Sequence, residues 1–171
     1  MPVRVLFVCL GNICRSPTAH GVFEARVRRA GLAGQISVDS AGTGDWHVGR
    51  PPHKSTLVAA RRRGYELKHH RARQVCVADF RAFDYMLAMD RSNLADLQRL
   101  APSGSTSRIG LFLDYHHDVN LVEVPDPYGG SAADFDRVLD MVETTSDALL
   151  LSISRRHGLS QPSNASPSQP I

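Results

Sequence analysis

Val3-Arg4-Val5-Leu6-Phe7-Val8-Cys9-Leu10-Gly11-Asn12-Ile13-Cys14-Arg15-Ser16-Pro17 is the stretch on which the fold turns. Val3 to Val8 is apolar apart from Arg4, which fits a strand buried on both faces of a parallel sheet. Gly11 and Asn12 tolerate left-handed backbone and so suit a tight loop. Ser16-Pro17 reads as a helix start, a hydroxyl N-cap with proline at the first helical position. Ala19, Val22, Phe23, Val27 and Ala30 then recur at helical spacing until Gly31 stops the element. The chain therefore opens strand, tight loop, helix.

Outward from this stretch the alternation repeats. Ile36-Ser37-Val38 reads as a short strand running into a glycine-rich loop, Ala41-Gly42-Thr43-Gly44. Lys54 to Arg63 reads as a helix ended by Gly64, and Tyr85 to Met89 as a strand. Asp90 caps a helix running towards Leu100, and Ile109 to Phe112 is a fourth strand. Ser131-Ala132-Ala133-Asp134 has the form of a capping box before Phe135, Val138, Leu139, Val142, Leu149 and Ile153. Strands alternating with helices predict an α/β fold in three layers, a four-stranded parallel sheet with helices on both faces.

The 171 residues suit one domain, expected over 1–157, and 42% hydrophobic with 22% charged residues excludes fibrous and wholly disordered chains. From Gly158 the composition turns to Ser, Gln, Pro and Asn, so residues 158–171 are expected to be a disordered tail. No run approaches ~18 apolar residues, so no membrane span is expected. The N-terminus lacks a signal peptide's basic region and cleavage site, which makes Asn164-Ala165-Ser166 an empty glycosylation match. Three cysteines make no disulfide framework, and the expected compartment is the cytoplasm. Cys76, without a neighbour in sequence, reads as buried and inert.

Charge is unevenly spread. Residues 1–73 hold 13 Lys and Arg against 4 Asp and Glu, and residues 114–147 hold 9 Asp and Glu against one Arg. A basic half suits anionic partners, but on charge alone two solvated helix faces are the plainer reading and the one expected. No aromatics interleave Arg61-Arg62-Arg63, so nucleic acid is not an expected partner. No His, Cys and Asp cluster has metal-ligand spacing, and the pairs His69-His70 and His116-His117 are expected to point apart on regular elements.

A loop between a buried strand and a helix N-terminus is where an α/β sheet holds an anion, on outward N–H groups and the helix dipole. The loop between the first strand and the first helix is thus the expected phosphate-binding loop, and Arg15 adds a guanidinium fork for two oxygens of one oxyanion. Positive surroundings lower a thiol's pKa from about 8.5, so a cysteine here becomes a nucleophile. Cys9 stands in that position. The spacing Cys-x5-Arg is weak alone; the strand before it, the glycine within and Ser-Pro after strengthen it. A plainer reading makes Cys9 a small buried hydrophobe and Arg15 a surface residue. Phosphoryl transfer also needs an acid for the leaving oxygen. Val124-Pro125-Asp126-Pro127-Tyr128-Gly129-Gly130 offers Asp126 between two prolines, which stiffen the backbone and remove donors; a simple turn explains it too.

The 5–17 stretch together with Asp126-Pro127-Tyr128 resembles the low-molecular-weight protein tyrosine phosphatase family, over about residues 3–157. The resemblance implies that Cys9 is the nucleophile forming a phosphocysteine, Arg15 the phosphate and transition-state ligand, and Asp126 the general acid and then base. It gives Leu10, Gly11, Asn12, Ile13, Cys14 and Arg15 as the phosphate cradle, Asn12 and Ser16 as loop organisers, and Ser40 and His70 as hydrogen-bonded support beneath. Trp46 and Tyr128 are implied as walls of an aromatic slot that suits phosphotyrosine better than phosphoserine. Cys14 matches the second loop cysteine, implied to pair with Cys9 on oxidation. Many members carry a second aromatic after Asp-Pro-Tyr; Gly129 stands there and opens the rim. No cofactor is implied. The implied partners are inorganic phosphate and a tyrosine-phosphorylated protein, such as a bacterial tyrosine kinase, with the enzyme a monomer or weak dimer.

Two other readings compete. A thiol-dependent arsenate reductase resembles this family in fold and loop but passes electrons along further cysteines, commonly two closely spaced ones, and only Cys76 remains. A non-catalytic phosphotyrosine-binding module is opposed by the occupation of every catalytic position.

Overall fold

Val5, Leu6, Phe7 and Val8 are all fully buried because both faces of their strand are covered. The computed structural model describes residues 1–160. The elements are β1 (Val3–Cys9), α1 (Arg15–Arg29), β2 (Ile36–Gly42), α2 (Lys54–Arg62), α3 (Asp79–Ala82), β3 (Tyr85–Ala88), α4 (Arg91–Leu100), β4 (Arg108–Leu111), one 3-10 turn (Phe112–Tyr115) and α5 (Ala132–His157). The sheet is parallel throughout, in the order β2-β1-β3-β4.

Alternate residues of β1 serve opposite layers. Val5 and Phe7 pack with Val22 and Phe23 of α1 and with Phe135, Val142 and Leu149 of α5. Phe7 meets Phe23 and Phe112 edge-on at 5.6 and 5.1 Å. Leu6 and Val8 pack with Met86 and Ala88 of β3, Phe80 of α3 and Leu97 of α4. Each of these Val, Leu, Met and Phe side chains stabilises the fold by about 1.5–3 kcal/mol. The chain leaves β1 outward to β2 and crosses back to β3 on the other side. The C-terminal end of β1 is therefore the switch point where an open α/β sheet has its crevice.

The local readings differ from the structure where a tertiary partner intervenes. Helix α1 begins at Arg15 with Cys14 as its cap residue, and Ser16 does not cap it, its hydroxyl being engaged by the loop described below. Strand β2 runs on to Gly42, because Asp39 to Gly42 continue the ladder with Leu6 to Cys9. The last strand begins at Arg108, and Phe112 turns into the 3-10 turn under Phe7. The single turn α3 had no periodic signal. Cys76 is exposed rather than buried: the chain leaves the core after Val75, and the Cys76 N–H donates to Asp79 Oδ2 at 2.9 Å. His116 and His117 do not point apart; they follow the 3-10 turn, where no regular element separates their rings, which stack at 4.4 Å.

The two charged halves meet across the helices. Arg26 of α1 pairs with Glu143 and Asp147 of α5 at 3.2 and 2.8 Å, and Arg63 with Glu143 and Asp140 at 2.6 and 2.8 Å. Leu159 packs against the core, and the Ser160 carbonyl accepts from Gln35 Nε2 at 2.9 Å. The rest of the expected tail, with its Asn164-Ala165-Ser166 motif, lies outside the described residues. Among the described residues no helix is long and apolar enough to cross a membrane.

Candidate active site

Asn12 sets the shape of the β1–α1 loop. Its φ of +55° turns the chain back over the end of β1, and its side chain, fully buried, ties three segments together. Nδ2 donates to Ser16 Oγ at 2.7 Å and to Ser40 Oγ at 3.1 Å, and Oδ1 accepts the Arg73 N–H at 3.0 Å. His70 Nε2 stands 3.3 Å from the Asn12 carbonyl, and His20 Nδ1 lies 3.2 Å from Ser40 Oγ. Burial holds both imidazoles below their ordinary range, and His20 adds repulsion at His70. Neutral rings of this kind can hold one tautomer beneath the loop.

Gly42 makes the close approach beneath the loop possible. A Cβ there would lie 2.7 Å from the Leu10 carbonyl oxygen. With hydrogen only, the Thr43 and Gly44 N–H groups reach the Cys9 and Leu10 carbonyls at 2.9 Å each.

Cys9 lies at the floor, 3% exposed, with Sγ 3.0 Å from Ser16 Oγ and 3.3 Å from the Asn12 N–H nitrogen. Burial, with the charges of Cys9 and Asp126 adding to it, pushes the Cys14 thiol up to about 11. Arg15 is also 3% exposed, not the surface residue of the plainer reading. Its Nη1 donates to Asp90 Oδ2 at 2.6 Å and to the Val124 carbonyl at 3.1 Å, leaving the opposite edge free for an oxyanion. Burial works against that charge, but Cys9, Asp90 and Asp126 outweigh it and hold the guanidinium above its ordinary value.

Asp126 reaches the same place from a distant part of the chain. The Val124 N–H donates to the Met89 carbonyl at 2.8 Å, anchoring the 124–128 segment to the end of β3. Asp126 Oδ1 accepts the Tyr128 N–H at 3.1 Å, and Oδ2 faces Arg15 Nη2 at 3.7 Å with the side chain half exposed. The cleft above Cys9 has a volume of about 210 Å³. Loop residues Leu10, Gly11, Ile13, Cys14 and Arg15 line it with Asp126, and Trp46, His47 and Tyr128 form its rim. It can take a tetrahedral oxyanion at its floor and a flat apolar group between its walls.

The low molecular weight phosphotyrosine protein phosphatase family model matches residues 4–159. The chain belongs to that family. It is 44% identical to the low molecular weight protein-tyrosine-phosphatase YfkJ of Bacillus subtilis over 157 residues, 92% of this chain and 99% of the relative. It is 42% identical to the human low molecular weight phosphotyrosine protein phosphatase over 136 residues, covering 78% and 85%. The crystal structure of YfkJ superposes with a TM-score of 0.85 over 91% of this chain and 97% of that one. The Drosophila arginine phosphatase DARP superposes with a TM-score of 0.83 at 31% identity, covering 87% and 96%. Family membership makes this chain a protein tyrosine phosphatase, with phosphoproteins as its substrates.

The structure brings every candidate residue of the phosphatase site to one crevice or to the layer just beneath it. Asp90 is the helix cap its sequence indicates and more: Oδ1 accepts the Asn93 N–H at 2.7 Å while Oδ2 holds Arg15. His20, Arg73 and His47 join the site with no local pattern to mark them, since each is defined by a partner at least twenty residues away.

Proposed function

We propose that this phosphatase works through a phosphocysteine on Cys9 without a metal ion. The Cys9 thiolate attacks phosphorus, an S–P bond forms, and the P–O bond to the tyrosyl oxygen breaks as Asp126 delivers its proton there. Water then attacks phosphorus, Asp126 takes the water's proton, and the S–P bond breaks to release phosphate and the thiolate. Arg15 and the amides of residues 10–15 hold the equatorial oxygens throughout. The Ser16 hydroxyl, 3.0 Å from Sγ and 3.3 Å from the Ala41 carbonyl, donates to the sulfur when it is a thiolate. Ser40 and His70 keep Asn12 in place. Trp46 and Tyr128 flank the aryl ring.

One observation carries this reading: the Cys9 sulfur, the free edge of Arg15 and the Asp126 carboxylate border one cleft of about 210 Å³. Its apolar walls favour an aryl ester over phosphoarginine, whose cationic leaving group would need a carboxylate at the rim as well as Asp126. The protein partner is a tyrosine-phosphorylated protein, a bacterial tyrosine kinase being one candidate. We assign the enzyme to the cytoplasm as a monomer or weak dimer, and extend the domain from the expected 1–157 to residue 160, since Leu159 packs on the core and Ser160 accepts from Gln35.

The test is p-nitrophenyl phosphate hydrolysis in excess EDTA, wild type beside Cys9→Ser. Turnover by the wild type alone, with phosphate still bound by the variant, is expected. Equal turnover by both would overturn the role of Cys9.

A further inference from the structure

A second groove, of about 170 Å³, lies between α2 and the start of α5, lined by Lys54, Ser55, Val58, Ala59, Arg62 and Ala132. Tyr128, on the catalytic rim, meets the His53 ring edge-on at 5.5 Å, and that ring stacks on Phe135 of α5 at 5.5 Å. The His53 N–H donates to the Ile13 carbonyl at 2.8 Å, so α2 starts against the phosphate loop itself. A chain leaving the cleft past Tyr128 meets this groove next.

Its charge is uncompensated. Arg61 pairs with Glu66, and Arg63 with Asp136, Asp140 and Glu143. Lys54 and Arg62 are exposed and form no ion pair among the described residues. In the first turns of α5, Asp134 accepts the Ser131 N–H at 2.8 Å and Asp136 faces Arg63 at 3.9 Å. Val58, 41% exposed, separates the two cations with an apolar step. Lys54 and Arg62 are eight residues apart on the helix, about 12 Å, a span an extended peptide covers in about four residues.

We propose that this groove binds carboxylate side chains of the substrate polypeptide beside its phosphotyrosine, making acidic phosphopeptides the preferred substrates. The proposal rests on the phosphotyrosine reading above. Phosphate is gripped at the cleft floor, and Lys54 and Arg62 read the flanking chain through charge, a contribution that acts on KM and is screened by salt.

The experiment compares wild type with Lys54→Gln/Arg62→Gln on three substrates. These are p-nitrophenyl phosphate, a phosphotyrosine peptide with Asp and Glu on both sides, and the same peptide with Asn and Gln. The wild type is expected to favour the acidic peptide by about three- to tenfold in kcat/KM, through KM. In the double variant the preference falls to near one while p-nitrophenyl phosphate turnover is unchanged. About 1 M salt should erase the wild-type preference, a readout that stands even if the variant misfolds. Equal use of both peptides by the wild type, or a preference that survives high salt or the double substitution, would overturn the groove and leave the catalytic reading intact. Failure of the wild type to hydrolyse p-nitrophenyl phosphate would overturn both.

Discussion

Asn12 holds φ at +55° without glycine's freedom, and its amide makes three hydrogen bonds, to Ser16, Ser40 and the Arg73 N–H. Asn12→Ala keeps a Cβ in the left-handed region and leaves buried polar groups unpaired. The expected loss is about 2–4 kcal/mol, from about 1 kcal/mol of backbone cost and about 1–3 for the stranded partners. Asn12→Gly removes the same bonds but not the backbone's freedom, so it should be less destabilised by about 1 kcal/mol in urea unfolding. Equal losses would mean that the loop's shape comes from elsewhere. At this scale the sequence was most legible where residue types carry conformational meaning. Asn12 marked the turn, with Cys9 and Arg15 flanking it, whereas Gly11 takes no positive φ and instead leaves room for His47, whose ring a Cβ there would approach to 2.9 Å. The sequence was least legible where one residue serves two partners. Asp90 explained itself as a helix cap, so nothing called for its second oxygen to seat Arg15.

Among the elements, α5 carries the polar ties that join the helices on its face of the sheet. Glu143 receives Arg63 Nη1 at 2.6 Å, Arg26 Nη2 at 3.2 Å and the Tyr65 hydroxyl at 3.2 Å, joining α1, the end of α2 and α5. Burial works to raise its carboxyl, but the bonds and charge of Arg63, with those of Arg26 and Tyr65, hold it below the usual range. Its folded value lies below the unfolded value of about 4.3, so this stabilisation is present above that pH and lost as pH falls through the folded value. Glu143→Gln should cost about 1–2 kcal/mol at pH 7, and the gap in Tm should close between about pH 5 and about pH 3. A gap independent of pH would mean that the side chain acts through packing alone. The helices were legible from periodicity and stop signals, Gly31, Gly64 and Gly158 each taking positive φ just past a helix end. The full length of β2 was not, because Asp39 and Ser40 are polar residues that pairing with β1 makes into strand.

For the molecule as a whole, charge segregated along the chain becomes charge paired in space, which periodicity within one helix does not reveal. The same long-range closure half-buries His20 and His70 beneath the loop with ring centroids 5.9 Å apart. Burial lowers both; Asp39 and Glu24 oppose it at His20, and Asn12 and Asp39 at His70. The folded chain then binds fewer protons than the unfolded one just below about pH 6.5, so stability is full above that value and declines as pH falls. Wild-type Tm should drop between pH 7 and pH 5, and replacing both histidines by Asn should flatten that slope; an unchanged slope would place the titrating groups elsewhere. The covalent intermediate on Cys9 is the step on which the whole reaction depends. The most direct measurement is acid quench of Asp126→Ala turning over p-nitrophenyl phosphate, whose good leaving group needs little acid help, followed by peptide mapping. Phosphate is expected to accumulate on the sulfur of Cys9, because loss of the base slows hydrolysis of the S–P bond. Continued turnover with the adduct on another residue, or with none, would contradict it.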